Sequence, residues 1–517
     1  MNIHGYAIGV DIGTTSTKAV LFTEKGEQVC QYFIEYPLST PATGVAEQDP
    51  EEIFAAVVKS VNSVVKNSAI NPAEILCLSF SAAMHSLIAI DRSDKLLTKS
   101  ITWADNRSAK QANLLKQQEK GRALYRRTGT PIHAMSPLVK LIWLRNEQPE
   151  LFNKSAKFIS IKEYIFYRLF QQYIVDYSIA SATGLMNLQA LAWDKEALEI
   201  AGITEQHLSQ LVPTTHIVPD INPAIAAEMG IPANTPIVVG ASDGALSNLS
   251  VGAISPGIVA VTLGTSGAIR AVIDRPQTDA KERLFCYALT ENYWVIGGAV
   301  NSSGIILRWI RDNLGANEVA IAQQEGQDPY DLLINLAQTV PPGAEGLIFH
   351  PYLAGERSPL WNANASGSFV GMTLRHTRAH LIRAMLEGIV LNLYLVAGAL
   401  QEEIGELKTV KATGGLMKNN FFRQLLADVF QCEINVLDSY ESGSLGAAVL
   451  GLYALGKIPD LNAVYQMLGQ SSQYRPIPEN VKVYQKIIPV YTRIFQQLQG
   501  EYDRLAVMAT QLSDKSI

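Results

Sequence analysis

The chain has 517 residues, more than one hydrophobic core usually supports, so two domains are expected. A hydrophobic content of 48% and a charged content of 17% exclude a disordered chain. With 42 Lys and Arg against 48 Asp and Glu, the net charge of -6 offers no global footprint for nucleic acid. An anionic substrate would have to be drawn by local cations.

Near the N-terminus Ala7, Ile8 and Val10 lead in as a strand, and Ala19, Val20, Leu21 and Phe22 lead out as another. Between them lies Asp11-Ile12-Gly13-Thr14-Thr15-Ser16-Thr17, one carboxylate and one glycine among hydroxyls. Such a turn can face an anion with its N–H groups and hydroxyls. Asp11 would repel a bare phosphate, so the arrangement makes sense with Mg²⁺ between them. It is not a Walker loop, and an ordinary hairpin with a polar turn remains open. Asp49-Pro50-Glu51-Glu52 then signals a helix start, followed by an amphipathic run from Ile53 to Val65. Ile75 to Phe80 reads as a buried strand delivering Ser81-Ala82-Ala83-Met84-His85, and Leu87–Ile90 with Leu96–Trp103 as a hairpin. From about Gln111 to Leu188 the pattern is mainly helical, with Leu138 to Leu144 facing a core. Pro213 to Pro236, rich in proline, reads as loop and connector. The strand from Ile237 ends in Gly240-Ala241-Ser242-Asp243-Gly244, where small neighbours leave a carboxylate free to stand in a cleft.

Gly264-Thr265-Ser266-Gly267, between Ile258–Val261 and Ala268–Val272, repeats the first strand–turn–strand with the same hydroxyl chemistry. A unit repeated at this distance points to two similar domains, each offering a phosphate-binding turn to one ligand. Helices are expected at Ser302–Leu314 and from about Arg378 to Leu400, and strands at Gly346–Tyr352, Val410–Thr413 and Ile434–Leu437. Helices also fit Asn420–Phe430, Leu445–Leu455 and the amphipathic tail Ile488–Met508. Gly414-Gly415 after a buried strand permits close approach of a flat ligand such as an adenine ring, or is a plain turn. Alternating strands and helices give an α/β class. Cys30, Cys77, Cys286 and Cys432 lack metal or redox spacing, and reduced buried thiols fit a cytoplasmic protein. Neither a signal peptide nor a stretch of ~18 apolar residues is evident, so no membrane is expected as a partner.

Taken together these motifs resemble the FGGY family of carbohydrate kinases, from Tyr6 to about Gly456. Two stretches match its long signatures, Met135 to Glu147 and Gly367 to Met372 followed by His380 to Glu387. The resemblance implies two ribonuclease-H-like, actin-like ATPase domains with the active site in the cleft between them. On that footing residues 1–245 form the sugar-binding domain, 246–460 the nucleotide-binding domain and 461–517 a helical extension. It implies Asp243 as the general base, and Asp11 as the residue that positions Mg²⁺, with Asp243 beside it. Gly13, Thr14, Thr15, Gly264, Thr265, Gly304, Gly414, Gly415 and Asn419 match positions around ATP. Met84, His85, Trp103, Asp105 and Arg107 match segments near an open-chain sugar. Tyr352 to Asn362, with Trp361, resembles the gluconate kinases, so the expected acceptor is D-gluconate, with xylulose or another sugar of the family as the alternative. Its carboxylate would need a cation, for which His85, Lys140, Lys162 and Arg357 are candidates. A homodimer is a family-level expectation. Readings of another class, an actin-like ATPase or a silent sugar-binding regulator, would lack the sugar pocket or the need for both aspartates.

Overall fold

The computed structural model describes residues 5–437 and 442–513. They form two compact units, Met1–Pro256 with Val272–Ile296 and Glu441–Gly469, and Gly257–Ala271 with Gly297–Tyr440 and Gln470–Ile517.

In the first unit the strand Tyr6–Ile12 is central to a six-stranded sheet. It pairs antiparallel with Ser16–Thr23, which pairs antiparallel with Gln28–Glu35. On its other side it runs parallel to Ile75–Ala82, and that strand parallel to Ile237–Ser242. Ala7, Ile8, Val10, Leu78, Phe80, Val238 and Val239 are all buried. Their near-continuous apolar runs are what a sheet covered on both faces requires. Asp49 caps the helix Pro50–Ser68 by accepting from the Glu51 N–H, and the helix buries Ile53, Phe54, Val57, Val61 and Val64 against the two antiparallel strands. The late helix Ser442–Ala454 returns to this sheet and packs on Tyr6–Ile12 and Ile75–Ala82. Gly9 permits that approach, because a Cβ there would lie 1.9 Å from the Ser444 carbonyl oxygen.

The second unit repeats the arrangement. Ile258–Leu263 pairs antiparallel with Gly267–Ile273, parallel with Thr409–Thr413, and that strand parallel with Glu433–Leu437. The order and directions of these four strands match those of the first sheet, so the repeat seen in the two turns extends to the strands around them, although the second sheet has seven strands and the first six. The helix Arg378–Ile404 buries Leu386, Ile389, Val390 and Leu393. It is, among the described residues, the one helix long and apolar enough to cross a membrane. No stretch of that kind is expected from the sequence; the helix is apolar on most sides because it lies in the core of its unit.

Several elements differ from expectation. The proline-rich segment 213–236 holds the short strand Ile217–Val218 and the helix Pro223–Met229, where Pro223 sits at the first helical position behind the capping Asn222. A proline read as a breaker is there a starter. The expected hairpin at 87–103 reduces to isolated bridges, and Ile88–Ile90 pairs instead with Lys157–Ile159. The strand expected at Gly346–Tyr352 is only Ile348–His350. The tail helix is longer than expected, Pro478–Ser513, and buries Tyr484, Tyr491, Phe495 and Tyr502. Helices Ala316–Glu325 and Pro329–Gln338 lay outside the sequence reading.

Candidate active site

In the first unit three parallel strands end at one edge of the sheet, with Ile12, Ala82 and Ser242 in register. Ligands of such sheets bind at that carboxyl edge. The edge gathers Asp11, the turn 13–15, Met84-His85 and Asp243. With neighbouring strands ~4.8 Å apart, the backbones carrying Asp11 and Asp243 stand roughly 10 Å apart.

Asp11 is half-buried and accepts from Ser81 Oγ at 2.6 Å. The first turn of helix Ser442–Ala454 presses on it, since a Cβ at Gly443 would lie 2.6 and 2.7 Å from its two oxygens. The turn behind it is braced: the Gly13 N–H donates to the Ser16 carbonyl, the Tyr36 hydroxyl to the Gly13 carbonyl, and Gln48 Nε2 to the Thr14 carbonyl. Thr14 Oγ1 accepts from the Trp103 indole at 2.9 Å, and Thr15 is exposed. No group of three or more metal-ligating side chains occurs among the described residues. Mg²⁺ is commonly held by one or two carboxylates with substrate phosphates and water, so Asp11 with a nucleotide fits it.

Asp243 opens the helix Asp243–Ser250, where Ser242 is the cap and accepts from the Ala245 N–H. Its Oδ1 accepts from the Gly244 N–H at 2.6 Å. A helix N-terminus favours negative charge. The strand before it is irregular at Gly240, whose φ is +76° and whose Cβ would fall 1.8 Å from the Phe80 carbonyl oxygen.

His85 lies in the left-handed region at φ +67°, with Nδ1 2.8 Å from the Ala182 carbonyl. A carbonyl only accepts, so Nδ1 carries the hydrogen. Met84 and Trp103 are half-buried. Asp105 differs from a free substrate contact: its carboxylate is 1% exposed and taken up by Arg107 and the Ala46 N–H. Arg107 bonds Glu47 as well and lies over the Trp143 ring, so Asp105 anchors its segment.

The candidate cations separate clearly. Lys140 is fully buried and donates to the carbonyls of His85 at 2.6 Å, Thr102 at 2.7 Å and Ile101 at 3.3 Å. Burial pushes its ammonium down to about 7. Lys162, 2% exposed, pairs with Asp176 at 2.8 Å. Both are internal fasteners. Arg357 belongs to the second unit, where its guanidinium bonds Asn301 Oδ1 and the Val300 carbonyl.

The second unit holds a cavity of about 650 Å³ lined by Gly264, Thr265, Gly304, Gly415 and Asn419, all expected around a nucleotide. Arg308, Tyr330, Asp331 and Lys418 also line it; they fall on helices or turns with no motif spacing, which is why the sequence did not mark them. Ligand pockets span ~300–1,000 Å³. The turn is stitched to the helix Gly304–Leu314, whose Gly304 and Ile305 N–H groups donate to the Gly264 and Thr265 carbonyls. Gly414, φ +104°, does not line the cavity; its backbone lies against Leu263, where a Cβ would meet the carbonyl oxygen at 2.5 Å. Asn419 is held by the Phe421 N–H and Asp331, and Leu416, Ile334 and Phe422 give the wall an apolar face suited to a base.

The N-terminal domain model of the FGGY family of carbohydrate kinases matches residues 6–250, and its C-terminal domain model residues 259–455. A gluconokinase of Bacillus licheniformis is 54% identical over 99% of each chain. Two Lactobacillus acidophilus structures, a gluconate kinase and a ligand-bound xylulose kinase, each superpose with a TM-score of 0.91 at 39% identity, over 97% of this chain and all of the other.

Proposed function

We propose, for a chain that belongs to the FGGY family of carbohydrate kinases, that it transfers the γ-phosphoryl group of ATP to a hydroxyl of D-gluconate, giving 6-phosphogluconate. The single observation carrying the acceptor is the 54% identity with a gluconokinase along the whole of both chains. Phosphoryl transfer asks for positioning and charge neutralisation more than covalent help. The residues supply both. Asp243 takes the proton of the attacking hydroxyl as its oxygen closes on the γ-phosphorus. The nucleotide enters the cavity of the second unit, its base beside Leu416 and Phe422 and its phosphates toward Gly264-Thr265. Mg²⁺, when bound, would neutralise phosphate charge, and Asp11 is the residue that would hold it. His85 and Trp103 orient the sugar acid. The four cysteines are free thiols, which supports a reducing compartment.

A second reading, xylulose as acceptor, is favoured by the likeness to the ligand-bound xylulose kinase. Comparing kcat/KM for gluconate, xylulose, ribulose and glycerol with ATP decides between them. Gluconate should lead by at least tenfold; xylulose leading would replace the first reading with the second.

A further inference from the structure

Resting on the reading of Asp243 as base, a further assignment concerns what holds it. The strand Ile237–Ser242 slips its register against Ile75–Ala82 between Val238 and Ala241, around the left-handed Gly240. Irregularities of this kind re-aim the residues that follow them, and the ladder resumes only at Ala241–Ser81 and Ser242–Ala82. Side chains outside the sheet also hold these two residues. Lys162 Nζ donates to the Ala241 carbonyl at 3.3 Å and to Asp176 Oδ2 at 2.8 Å. Asp176 Oδ1 in turn accepts from the Ile179 N–H at 2.9 Å, fixing the short turn that carries Ser178. Ser178 Oγ accepts from the Ser242 N–H at 3.1 Å and donates to Ser242 Oγ at 2.8 Å. That same Ser242 oxygen caps the helix that Asp243 begins. Lys162, Asp176, Ser178 and Ser242 are each at most 2% exposed. A buried ion pair is weak evidence for stability, and a defined register is its best-attested use.

We propose that Ser178, backed by the buried Lys162–Asp176 pair, is a positioning residue that sets where Asp243 stands at the sheet edge. It touches no substrate; it acts through the backbone and cap of Ser242. Removing its hydroxyl leaves the Ser242 N–H without that acceptor in a buried site and frees the junction to shift. Catalysis is sensitive to such shifts, since ~1 Å of misplacement can cost ~10²-fold.

The test compares S178T with S178V in the full chain, two side chains of the same shape of which only threonine keeps the hydroxyl. The readout is the single-turnover rate of gluconate phosphorylation with enzyme in excess, which does not depend on the fraction of active protein. S178T should stay within threefold of wild type, whereas S178V should fall at least tenfold with the KM values for gluconate and ATP within twofold. S178A, which adds no bulk, should fall with S178V. Equal rates in S178T and S178V overturn the proposal. D243N sets the floor: if it turns over near the wild-type rate, Asp243 is not the base and both readings fall together, whereas an inactive D243N beside an unaffected S178V removes the positioning role alone.

Discussion

Asp243 and Lys140 mark the extremes of what a residue discloses about itself. Asp243 is legible because a carboxylate stands at the end of an apolar strand among the small residues Gly240, Ala241, Ser242 and Gly244, and it accepts from the N–H of Gly244. Asp243→Asn should lower kcat by ~10²–10⁴-fold, the usual worth of a positioned base, while the affinity for ADP measured by calorimetry is unchanged. Lys140 is illegible as to role, because its charge invites a substrate carboxylate and only the fold shows that its ammonium is spent on three carbonyls. Its burial has a pH signature. The folded chain releases this proton near pH 7, whereas the unfolded chain keeps it to ~10.4. Between these values the unfolded state binds more protons, so the residue's contribution to stability rises with pH. The melting temperature of wild type relative to Lys140→Met should therefore climb from pH 6.5 to pH 9.5; a flat or falling difference would contradict the assignment.

Elements were read well where the hydrophobic period was long or the cap strong, as in Pro50–Ser68 and the strands Tyr6–Ile12 and Ile258–Leu263. They were read poorly where one residue type serves opposite ends of an element. Pro223 starts a helix inside what looked like a loop, and Pro489 lies inside the tail helix without ending it. The turn at Gly264 was visible in sequence, but its support was not: the helix Gly304–Leu314 donates its first N–H groups to the turn, at a distance of forty residues along the chain. A Cβ at Gly304 would lie 2.6 Å from the Gly264 carbonyl oxygen. Gly304→Ala should therefore push the turn out of place and raise KM for ATP at least fivefold, with KM for gluconate within twofold. Equal changes in both constants would mean that the turn does not serve the nucleotide.

For the molecule as a whole, the doubled turn announced the doubled sheet. Two hydroxyl-rich turns 250 residues apart became two sheets of matching strand order, because each turn joins the central strand of its sheet to the same antiparallel neighbour. What did not follow from pattern was the acceptor. A sugar acid and a sugar differ at one end, and no spaced motif in the sequence marks the groups that would meet that end. The late return of residues 442–454 to the first sheet was equally invisible, since periodicity shows which face of a helix is apolar and not which sheet it covers. The central claim is that the chain spends ATP on gluconate. ADP release measured with and without gluconate, with ³¹P NMR of the product, tests it directly. Gluconate should accelerate ADP release at least a hundredfold and yield one phosphomonoester per ADP; release that gluconate leaves unchanged would contradict the account.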